Sequence, residues 1–461
     1  MDLARALRLT FPRPSCLAPS SGSGAQVIAF VGAGGKTTAI FQLAQSLTAN
    51  ISRPVIVSAT SHLGAWQLQL AGHHMIALKH QDLDALPDSG IALVTGELDG
   101  DRANPLSPDL IQRLSELCRA RNIHLLIEAD GSRGQPLKAP AAHEPPIPEF
   151  TDQVVVVAGL SGLALPLTGQ AVHRPQLFAA LSGLSPGEPV TPEALVHLLI
   201  HPEGGLKNIP PAARRVVLLN QAETPRLQSI GGSMAQDLLE AFDAVLVGSL
   251  QEKAFQTFEL TAGIILAAGE STRFGKPKQL LDWRGQPFVR AVARTALEAG
   301  LNPVIVVTGA HAGQVEDALG DLPVTTVRNP EWREGQAGSI RAGIHALGSP
   351  MGSARSGAVG SAIFLLVDQP QVTMSVLSAL MEAHTHDIHA VIAPLVVDRR
   401  ANPILFDRVT FGDLLRLQGD VGGRGIFDKH RVEYLPWHDD RLLLDVDTPE
   451  QYARLLEDET L

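Results

Sequence analysis

The sequence is poor in aromatic residues and has no excess of positive charge, and each shortage excludes a class of function. Phe, Trp and Tyr make up 4% of the 461 residues, which argues against a surface that binds single-stranded nucleic acid by stacking on its bases. The formal charge of −11 argues against binding to a phosphate backbone, which requires a basic face. We therefore expect no nucleic-acid partner.

Cysteine is also scarce. Cys16 and Cys118 are the only two, and neither has His or Cys nearby at metal-ligand spacing, so a disulfide framework or a zinc site is not expected. The first residues lack the apolar stretch of a signal peptide. The apolar run at 154–167 contains two glycines and a proline and is too short to cross a bilayer. These features predict a cytoplasmic protein without a membrane partner.

Glycine and proline are plentiful, at 42 and 32 residues, and short apolar runs alternate with helical patterns along the whole chain. This alternation predicts an α/β fold in which helices cover parallel sheets. A new strand and glycine loop follow the mixed segment 249–260, so we predict two α/β domains, at 1–257 and 258–461. The predicted strands are 27–31, 54–58, 91–94, 124–129, 153–158, 215–220, 244–248, 263–268, 303–309, 324–329, 362–368 and 390–394.

The densest pattern in the second half is LAAGESTRFGKPKQLL, at 266–281, directly after a predicted strand. Small residues in such a loop allow backbone N–H groups to approach phosphate oxygens. Arg273 and Lys278 add the positive charge that a triphosphate and a departing pyrophosphate require. The pattern therefore predicts a phosphate-binding loop. The alternative is a glycine-rich turn with two solvated basic residues.

This segment resembles the motif of the MobA-like nucleotidyltransferases, and most closely that of the molybdenum-cofactor cytidylyltransferase branch. The resemblance implies a Rossmann-like domain with a mostly parallel sheet. It also implies Mg²⁺-dependent transfer of CMP from CTP to a molybdopterin–molybdenum acceptor, with release of pyrophosphate. It continues, in the same order, through NPEWREGQAGSIRAGI (329–344), LLVDQPQVT (365–373), RANPILF (400–406), GDVGGRG (419–425) and LDVDTPEQY (444–452).

The resemblance also implies residue roles. Arg273, Lys278 and Asp368 would be catalytic, and Asp368 would hold Mg²⁺ at the end of its strand unless it only caps the turn before Pro370. Asp447 either contacts the metal or caps the helix that follows it. Asn402 would lie beside the acceptor. The nucleotide-binding set implied by the resemblance is Leu266, Ala267, Ala268, Gly269, Ser271, Gly275, Gln336, Gly338 and Ser339.

Two short segments bear on the choice of nucleotide and acceptor. In this family the sequence Ala267-Ala268-Gly269 goes with CTP, whereas a glycine at the second alanine goes with GTP. The family pattern Arg-Gly-Asn-Pro is Arg-Ala-Asn-Pro here, and Ala401 would be strained if that position required a positive φ. The acceptor therefore stays open between a molybdopterin-type molecule and a sugar or polyol phosphate. A third hypothesis is a cofactor chaperone that binds nucleotide without turnover.

In the first half, FVGAGGKTTAIFQLA (30–44) combines a strand, a glycine loop and a helix. Backbone donors at a helix N-terminus, a lysine for the phosphates and a hydroxyl for Mg²⁺ are the parts of a phosphate-binding loop. Phe30 stands where the full P-loop spacing has glycine, so the loop is either a reshaped P-loop or a plain turn. The nucleotide-binding candidates are Gly32, Gly34, Gly35, Lys36, Thr37 and Thr38.

The segment LLIEADGSRGQPLKAPAAHEPPIP (125–148) brings Glu128 and Asp130 to a strand end beside this loop. The combination resembles the YqeC-type accessory proteins linked to selenium-dependent molybdenum hydroxylases. That resemblance implies a P-loop-like, nucleotide-dependent maturation domain that uses ATP or GTP, with a hydroxylase apoenzyme as a possible partner. Lys138 and the pair at 143–144 either line this site or are solvated. Asn220 resembles, by position only, the guanine-binding Asn of GTPases.

Overall fold

The computed structural model describes residues 1–10, 24–50, 53–271, 274–348 and 359–457. These residues form two compact units, Met1–Phe258 and Glu259–Leu461. Both units are α/β, so the expected fold class with mostly parallel sheets is confirmed. No helix within the described part of the chain is both long enough and apolar enough to span a membrane.

A nine-stranded sheet forms the centre of the N-terminal unit. Its order is β9-β8-β7-β6-β1-β5-β2-β4-β3, and every neighbouring pair is parallel except the antiparallel pair β8–β9 at one edge. The strands are β1 (Val27–Gly32), β2 (Val55–Ala59), β3 (His73–Ile76), β4 (Ile91–Thr95), β5 (His124–Glu128), β6 (Gln153–Gly159), β7 (Arg214–Asn220), β8 (Ala244–Ser249) and β9 (Ala254–Phe258).

Helices cover both faces of this sheet, and apolar side chains of the strands form one buried cluster on each face. The central strands are apolar on both faces, because a parallel sheet of this kind is buried on both sides. Three of the longer helices begin at a Ser or Thr that accepts a hydrogen bond from the first turn, followed by Pro, which suits the first helical position. The helices are α1 (Leu3–Ala6), α2 (Lys36–Asn50), α3 (Pro108–Ala120), α4 (Pro175–Ser182), α5 (Pro192–Ile200) and α6 (Pro225–Leu238).

The C-terminal unit has an eight-stranded mixed sheet. Strands follow the order β12-β11-β10-β13-β16-β14-β15, and β17 pairs with β14. The first four are mutually parallel, whereas β16 runs antiparallel to β13 and β14. The strands are β10 (Leu260–Ala267), β11 (Val304–Thr308), β12 (Thr325–Arg328), β13 (Val359–Leu366), β14 (Val391–Val396), β15 (Arg399–Arg400), β16 (Ile404–Asp407) and β17 (Val432–Pro436).

The helices of this unit pack on both sides of its sheet and again enclose two apolar clusters. They are α7 (Phe288–Glu298), α8 (Ala312–Leu319), α9 (Gln336–Leu347), α10 (Met374–His386), α11 (Phe411–Leu414) and α12 (Pro449–Glu457). Two-residue strands complete small sheets at Leu63–Gly64, Leu98–Asp99, Arg102–Ala103, Leu137–Lys138, Val172–His173, Asp282–Trp283 and Gln286–Pro287.

Candidate functional site

In the C-terminal unit, the carboxyl ends of four parallel strands meet at one edge of the sheet. Leu266 of β10 lies level with Leu366 of β13, and Ala267 lies level with Thr308 of β11. The segments that follow these strands therefore emerge side by side, which is where open α/β sheets bind ligands. The predicted glycine loop and Asp368 both lie at this edge.

A buried glutamine that was not predicted holds the glycine loop in place. The Gln279 amide nitrogen donates to the carbonyl oxygens of Ala267, at 3.1 Å, and Gly269, at 2.7 Å. The Ser271 hydroxyl accepts from the backbone N–H of Lys278 at 3.1 Å. A β-carbon on Gly269 would meet no atom within 4 Å, so this position faces open space. The loop is thus fixed at its base and open on its outer side.

The other loop positions differ in environment. Ala267 and Ala268 are buried, Leu266 is half-buried, and Gly275 is exposed with a φ of +74°. That φ suits glycine, which has no β-carbon to clash. Arg273, predicted as catalytic, lies outside the described residues.

The structure joins Lys278, Asp368 and Asp447 in one charged cluster. The Lys278 ammonium lies 2.8 Å from Asp368 Oδ2 and 2.7 Å from Asp447 Oδ1. Burial alone would lower the pKa of Lys278, but the charges and hydrogen bonds of the two carboxylates outweigh it and raise that pKa. Lys278 is therefore protonated at neutral pH, with a negative group on each of two sides.

The contacts of the 447–451 segment show which side chains cap helix α12. Thr448 Oγ1 accepts from the N–H of Gln451, and Gln451 Oε1 accepts from the N–H groups of Asp447 and Thr448. Thr448 and Gln451 thus cap α12 reciprocally. The Asp447 carboxylate is left to contact Lys278.

The same cluster includes a third carboxylate that the sequence interpretation missed. Burial, followed by the charge of Asp368, raises the pKa of Asp445, and the Gln369 amide donates to Asp445 Oδ1 at 2.7 Å. The N–H of Val446 donates to the Asp368 carbonyl oxygen at 3.1 Å. These bonds connect the segment after β13 to the segment before α12, which fixes Asp368 and Asp447 relative to each other.

The predicted residues at the start of α9 contact other motifs of the C-terminal unit. Ser339 Oγ accepts from the Asn329 amide at 3.1 Å, and a β-carbon on Gly338 would lie 3.1 Å from that amide. The N–H of Gln336 donates to Asp420 Oδ1 at 3.2 Å. Asn329 follows β12, so this helix start belongs to the same sheet edge as the glycine loop.

Asn402 precedes the antiparallel strand β16. The pairing of Phe364 with Ile404 sets Asn402 approximately level with Leu366, close to the strand end that carries Asp368. Ala401 is buried and is not among the residues with positive φ, so the alanine is not strained there. Replacing the family's glycine by Ala401 is thus compatible with the local backbone.

In the N-terminal unit, the loop after β1 has a shape that only glycine permits. Gly32, Gly34 and Gly35 have φ values of +93°, +84° and +128°. A β-carbon on Gly32 would clash with the Val157 carbonyl oxygen of the neighbouring strand. No described residue accepts a hydrogen bond from the backbone N–H groups of residues 35–38, at the start of the 15-residue helix α2. Unpaired N–H groups at a helix N-terminus favour an anion.

The two carboxylates predicted at this loop have different partners. The Thr37 hydroxyl donates to Glu128 Oε2 at 2.9 Å, and the buried Gln67 amide donates to both side chains. Burial raises the pKa of Glu128. Asp130 instead accepts from Lys138 at 2.7 Å and lies 3.2 Å from the Lys36 ammonium. Of the two carboxylates, Glu128 adjoins the threonine hydroxyl, whereas Asp130 pairs with the two lysines and accepts from the Gly32 N–H at 3.1 Å.

Lys138 and Glu144 are part of a buried ion network rather than a solvated loop. The Lys138 ammonium lies 2.7 Å from Glu144 Oε2, and the Arg174 guanidinium binds both Glu144 oxygens at 2.7 and 2.8 Å. Burial opposes ionisation of Glu144, but the bonds from Arg174 and Lys138 lower its pKa to about 2. His143 is exposed, as is Thr38.

Asn220 holds the glycine loop that follows β1 through side-chain hydrogen bonds. Its amide donates to the Gly34 carbonyl oxygen at 2.7 Å, and its carbonyl oxygen accepts from the Leu250 N–H at 2.9 Å. Asn220 is buried, and these two bonds connect the strand end to the glycine loop. The structure therefore gives this residue a supporting role in place of the base-binding role suggested by its position.

Two family models match the chain: the YqeC protein at residues 28–176 and the MobA-like NTP transferase domain at residues 263–434. "Uncharacterized protein YqeC" of Escherichia coli K12 is 33% identical, over 49% of this chain and 88% of the relative. The chain belongs to both families, one in each unit. Its C-terminal unit is a MobA-like nucleotidyltransferase domain.

Relatives of the C-terminal unit have diverse names. "Nicotine blue oxidoreductase" of Paenarthrobacter nicotinovorans is 30% identical, over 42% of this chain and 95% of its own length. "Probable molybdenum cofactor guanylyltransferase" of Bacillus mycoides is 24% identical, over 43% of this chain and 96% of its own length. Only the second of these names specifies a nucleotidyl group and an acceptor, so the names together assign neither to this chain.

Proposed function

We propose that the C-terminal unit transfers CMP from CTP to the phosphate of a molybdopterin–molybdenum acceptor and releases pyrophosphate. The observation that carries the proposal is the ammonium of Lys278, held between Asp368 and Asp447 at the sheet edge where the glycine loop opens. A fixed cation between two carboxylates, beside a loop with an open outer side, suits a triphosphate and a divalent ion together.

The residues at this edge fit Mg²⁺. Asp368 and Asp447 each use one carboxylate oxygen for Lys278, and no described residue bonds the other oxygen of either. Mg²⁺ is commonly held by one or two carboxylates together with substrate phosphates and water. When bound, the ion supplies charge neutralisation at the reacting phosphates. Asp368 and Asp447 would hold it.

The reaction needs no nucleophile from the protein. An oxygen of the acceptor phosphate forms a bond to the α-phosphorus of CTP while the bond from that phosphorus to the pyrophosphate oxygen breaks. Two of the three N–H donors of Lys278 bond carboxylates, and the third is available for a phosphate oxygen. Gln279 keeps the loop backbone in position while negative charge moves to the leaving group.

The choice of CTP rests on the alanines at 267 and 268, and a relative named as a probable guanylyltransferase makes GTP the first competitor. A sugar or polyol phosphate is the alternative acceptor. A cofactor chaperone that binds nucleotide without turnover is the alternative from another class.

For the N-terminal unit we propose binding of Mg²⁺ with ATP or GTP, in support of maturation of a molybdenum hydroxylase. The unpaired N–H groups at 35–38 and the pair of Thr37 and Glu128 support this site. Thiol chemistry is not part of the proposal, because burial raises the pKa of Cys118 to about 12 and leaves it protonated. Cys16 lies outside the described residues.

The test uses the purified full chain with Mg²⁺, molybdenum cofactor and each of the four ribonucleoside triphosphates in turn. Mass spectrometry should detect a cytidylylated cofactor, together with one pyrophosphate per turnover, only with CTP. The same assay with a panel of sugar and polyol phosphates tests the alternative acceptors. A guanylylated product, or transfer only to a sugar phosphate, would replace the proposed substrates.

The matched variants are Asp368→Asn and, as a control, Asp317→Asn on the exposed face of α8. We expect Asp368→Asn to lower turnover by about 100-fold or more, since loss of one charge-stabilising group at a reacting centre has effects of that order. Asp317→Asn should retain wild-type turnover. If Asp368→Asn instead supports hydroxylase maturation as well as wild type does, the chaperone hypothesis is favoured.

A further inference from the structure

A tight turn in the N-terminal unit holds an arginine in an unfavourable backbone conformation. The N–H of Gln135 donates to the Ser132 carbonyl oxygen at 3.1 Å, and the two residues between them, Arg133 and Gly134, have φ values of +52° and +76°. Positive φ at both central residues defines a turn in which Asn, Asp or Gly is normally preferred. An arginine there is a backbone outlier of the kind that clusters at ligand sites.

This turn is bonded directly to the glycine loop. The Gly34 N–H donates to the Gln135 carbonyl oxygen at 3.1 Å, and the Gly159 N–H donates to the Pro136 carbonyl oxygen at 2.9 Å. Arg133 is two residues from Gln135, so their Cα atoms lie within about 7.6 Å of each other. An arginine side chain at the tip can therefore reach the space above the loop.

The charge balance leaves Arg133 available for a ligand. Lys36 and Lys138 both contact Asp130, and Lys138 and Arg174 both contact Glu144. Arg133 is exposed and makes no hydrogen bond or ion pair with any described residue. The charge of Arg133 acts on the same histidine as those of Arg174 and Lys138. Burial lowers the pKa of His173, and the charges of Arg174, Lys138 and Arg133 lower it further.

We propose that Arg133 contacts the terminal phosphate of a nucleoside triphosphate bound in the loop at 32–38. The proposal rests on the nucleotide binding suggested above for the N-terminal unit and extends it to a residue of the neighbouring turn. The planar guanidinium binds phosphate through two parallel N–H donors, and its charge offsets that of the terminal phosphate. A diphosphate, which lacks that group, gains little from Arg133.

The experiment is calorimetric titration of the full chain with Mg²⁺ and ATP or GTP, then with the corresponding diphosphate. Binding at the N-terminal site is the component that Lys36→Gln abolishes; Thr37→Val takes its place if Lys36→Gln does not fold. Arg133→Asn removes the charge but keeps a residue that tolerates positive φ. We expect it to weaken triphosphate binding about tenfold or more, as loss of a hydrogen bond to a charged group implies.

Diphosphate affinity should change less than about threefold in the same variant, and Arg133→Lys should give an intermediate triphosphate affinity. The control is Arg53→Asn, an exposed arginine just before the amino end of β2, whereas the glycine loop follows the carboxyl end of β1. This variant should bind as wild type does. Wild-type triphosphate affinity in Arg133→Asn overturns the proposal for Arg133 alone. If neither Lys36→Gln nor Thr37→Val removes any binding component, the nucleotide site itself is refuted, and Arg133 with it.

Discussion

Lys138 connects the buried carboxylate of Asp130 to the partly buried carboxylate of Glu144 in the N-terminal unit. Its ammonium contacts Asp130 and Glu144, each at 2.7 Å, and its side chain is almost completely buried. Buried charges of this kind are retained only when they are paired. Sequence alone left Lys138 undecided between a site and solvent, because Arg174, which binds the same Glu144 carboxylate, comes from the start of α4, 36 positions further along the chain.

Glu144 gives a pH-dependent prediction for the same network. Its pKa falls from 4.5 to about 2, so the ionised carboxylate stabilises the folded state at neutral pH. A depressed folded-state pKa stabilises the protein above the unfolded value of 4.5, and this contribution is lost as the pH falls towards 2. We expect Glu144→Gln to unfold at lower urea at pH 7, and its deficit relative to wild type to shrink between pH 5 and 3.

Urea titrations of both proteins across that range measure the effect. Glu149→Gln, which removes an exposed carboxylate five residues away, is the matched control and should match wild type within about 0.5 kcal/mol at pH 7. A deficit for Glu144→Gln that does not change with pH would mean that lost packing, not lost charge, is responsible.

In the C-terminal unit, the family motifs pointed to Lys278, Asp368 and Asp447, and the structure brings these three together. The same motifs gave no role to the adjacent Gln279 or to Asp445. Both act on backbone or on a neighbouring side chain, through bonds of 2.7 to 3.1 Å that depend on the folded path of the loop. Such supporting contacts have no spacing rule in sequence, and so they could not be predicted.

At the scale of elements, every predicted strand overlaps an observed one, because buried parallel strands are continuous apolar runs. Apart from the two-residue strands of the small sheets, the strands that were missed lie at the edges of the two large sheets or run antiparallel: β3, β9, β15, β16 and β17. In β3 and β17 no residue is fully buried, so the apolar signal is weak. The mixed segment 249–260, predicted to separate the two domains, contributes β9 to one sheet and the start of β10 to the other.

The glycine loop after β1 gives a prediction at this scale. Gly32 has a φ of +93°, and a β-carbon there would clash with the backbone of β6, whereas Gly131 has open space and no positive φ. We expect Gly32→Ala to lower the free energy of unfolding by more than about 2 kcal/mol, since both backbone strain and a clash oppose it. Gly131→Ala, in the same region, should change it by less than about 0.5 kcal/mol.

Urea unfolding of the two variants and wild type measures the difference. Nucleotide titration of Gly32→Ala, at a temperature where it is folded, then tests whether the loop shape is also needed for binding. Equal stabilities of the two alanine variants would show that the loop can move away from β6 at little cost. That result would contradict the clash and the backbone strain expected at Gly32.

For the whole molecule, the distribution of apolar residues predicts two separable domains. Each of the four apolar clusters formed by described residues lies within one unit. The first sheet ends with β9 at Phe258 and the second begins with β10 at Leu260, so a cut after Phe258 divides no sheet. A unit with its own core and its own sheet should fold alone.

We therefore expect fragments 1–258 and 259–461 each to unfold in one cooperative transition. A ligand stabilises only the fold that binds it, by about 2.7 kcal/mol at 100 times its dissociation constant. With Mg²⁺, CTP should raise the melting temperature of 259–461 alone, and ATP or GTP that of 1–258 alone. Asp368→Asn and Lys36→Gln should abolish the shift in their own fragment only. A fragment that melts without cooperativity would contradict independent folding of that unit, and a shift in the other fragment would contradict the nucleotide proposed for each unit.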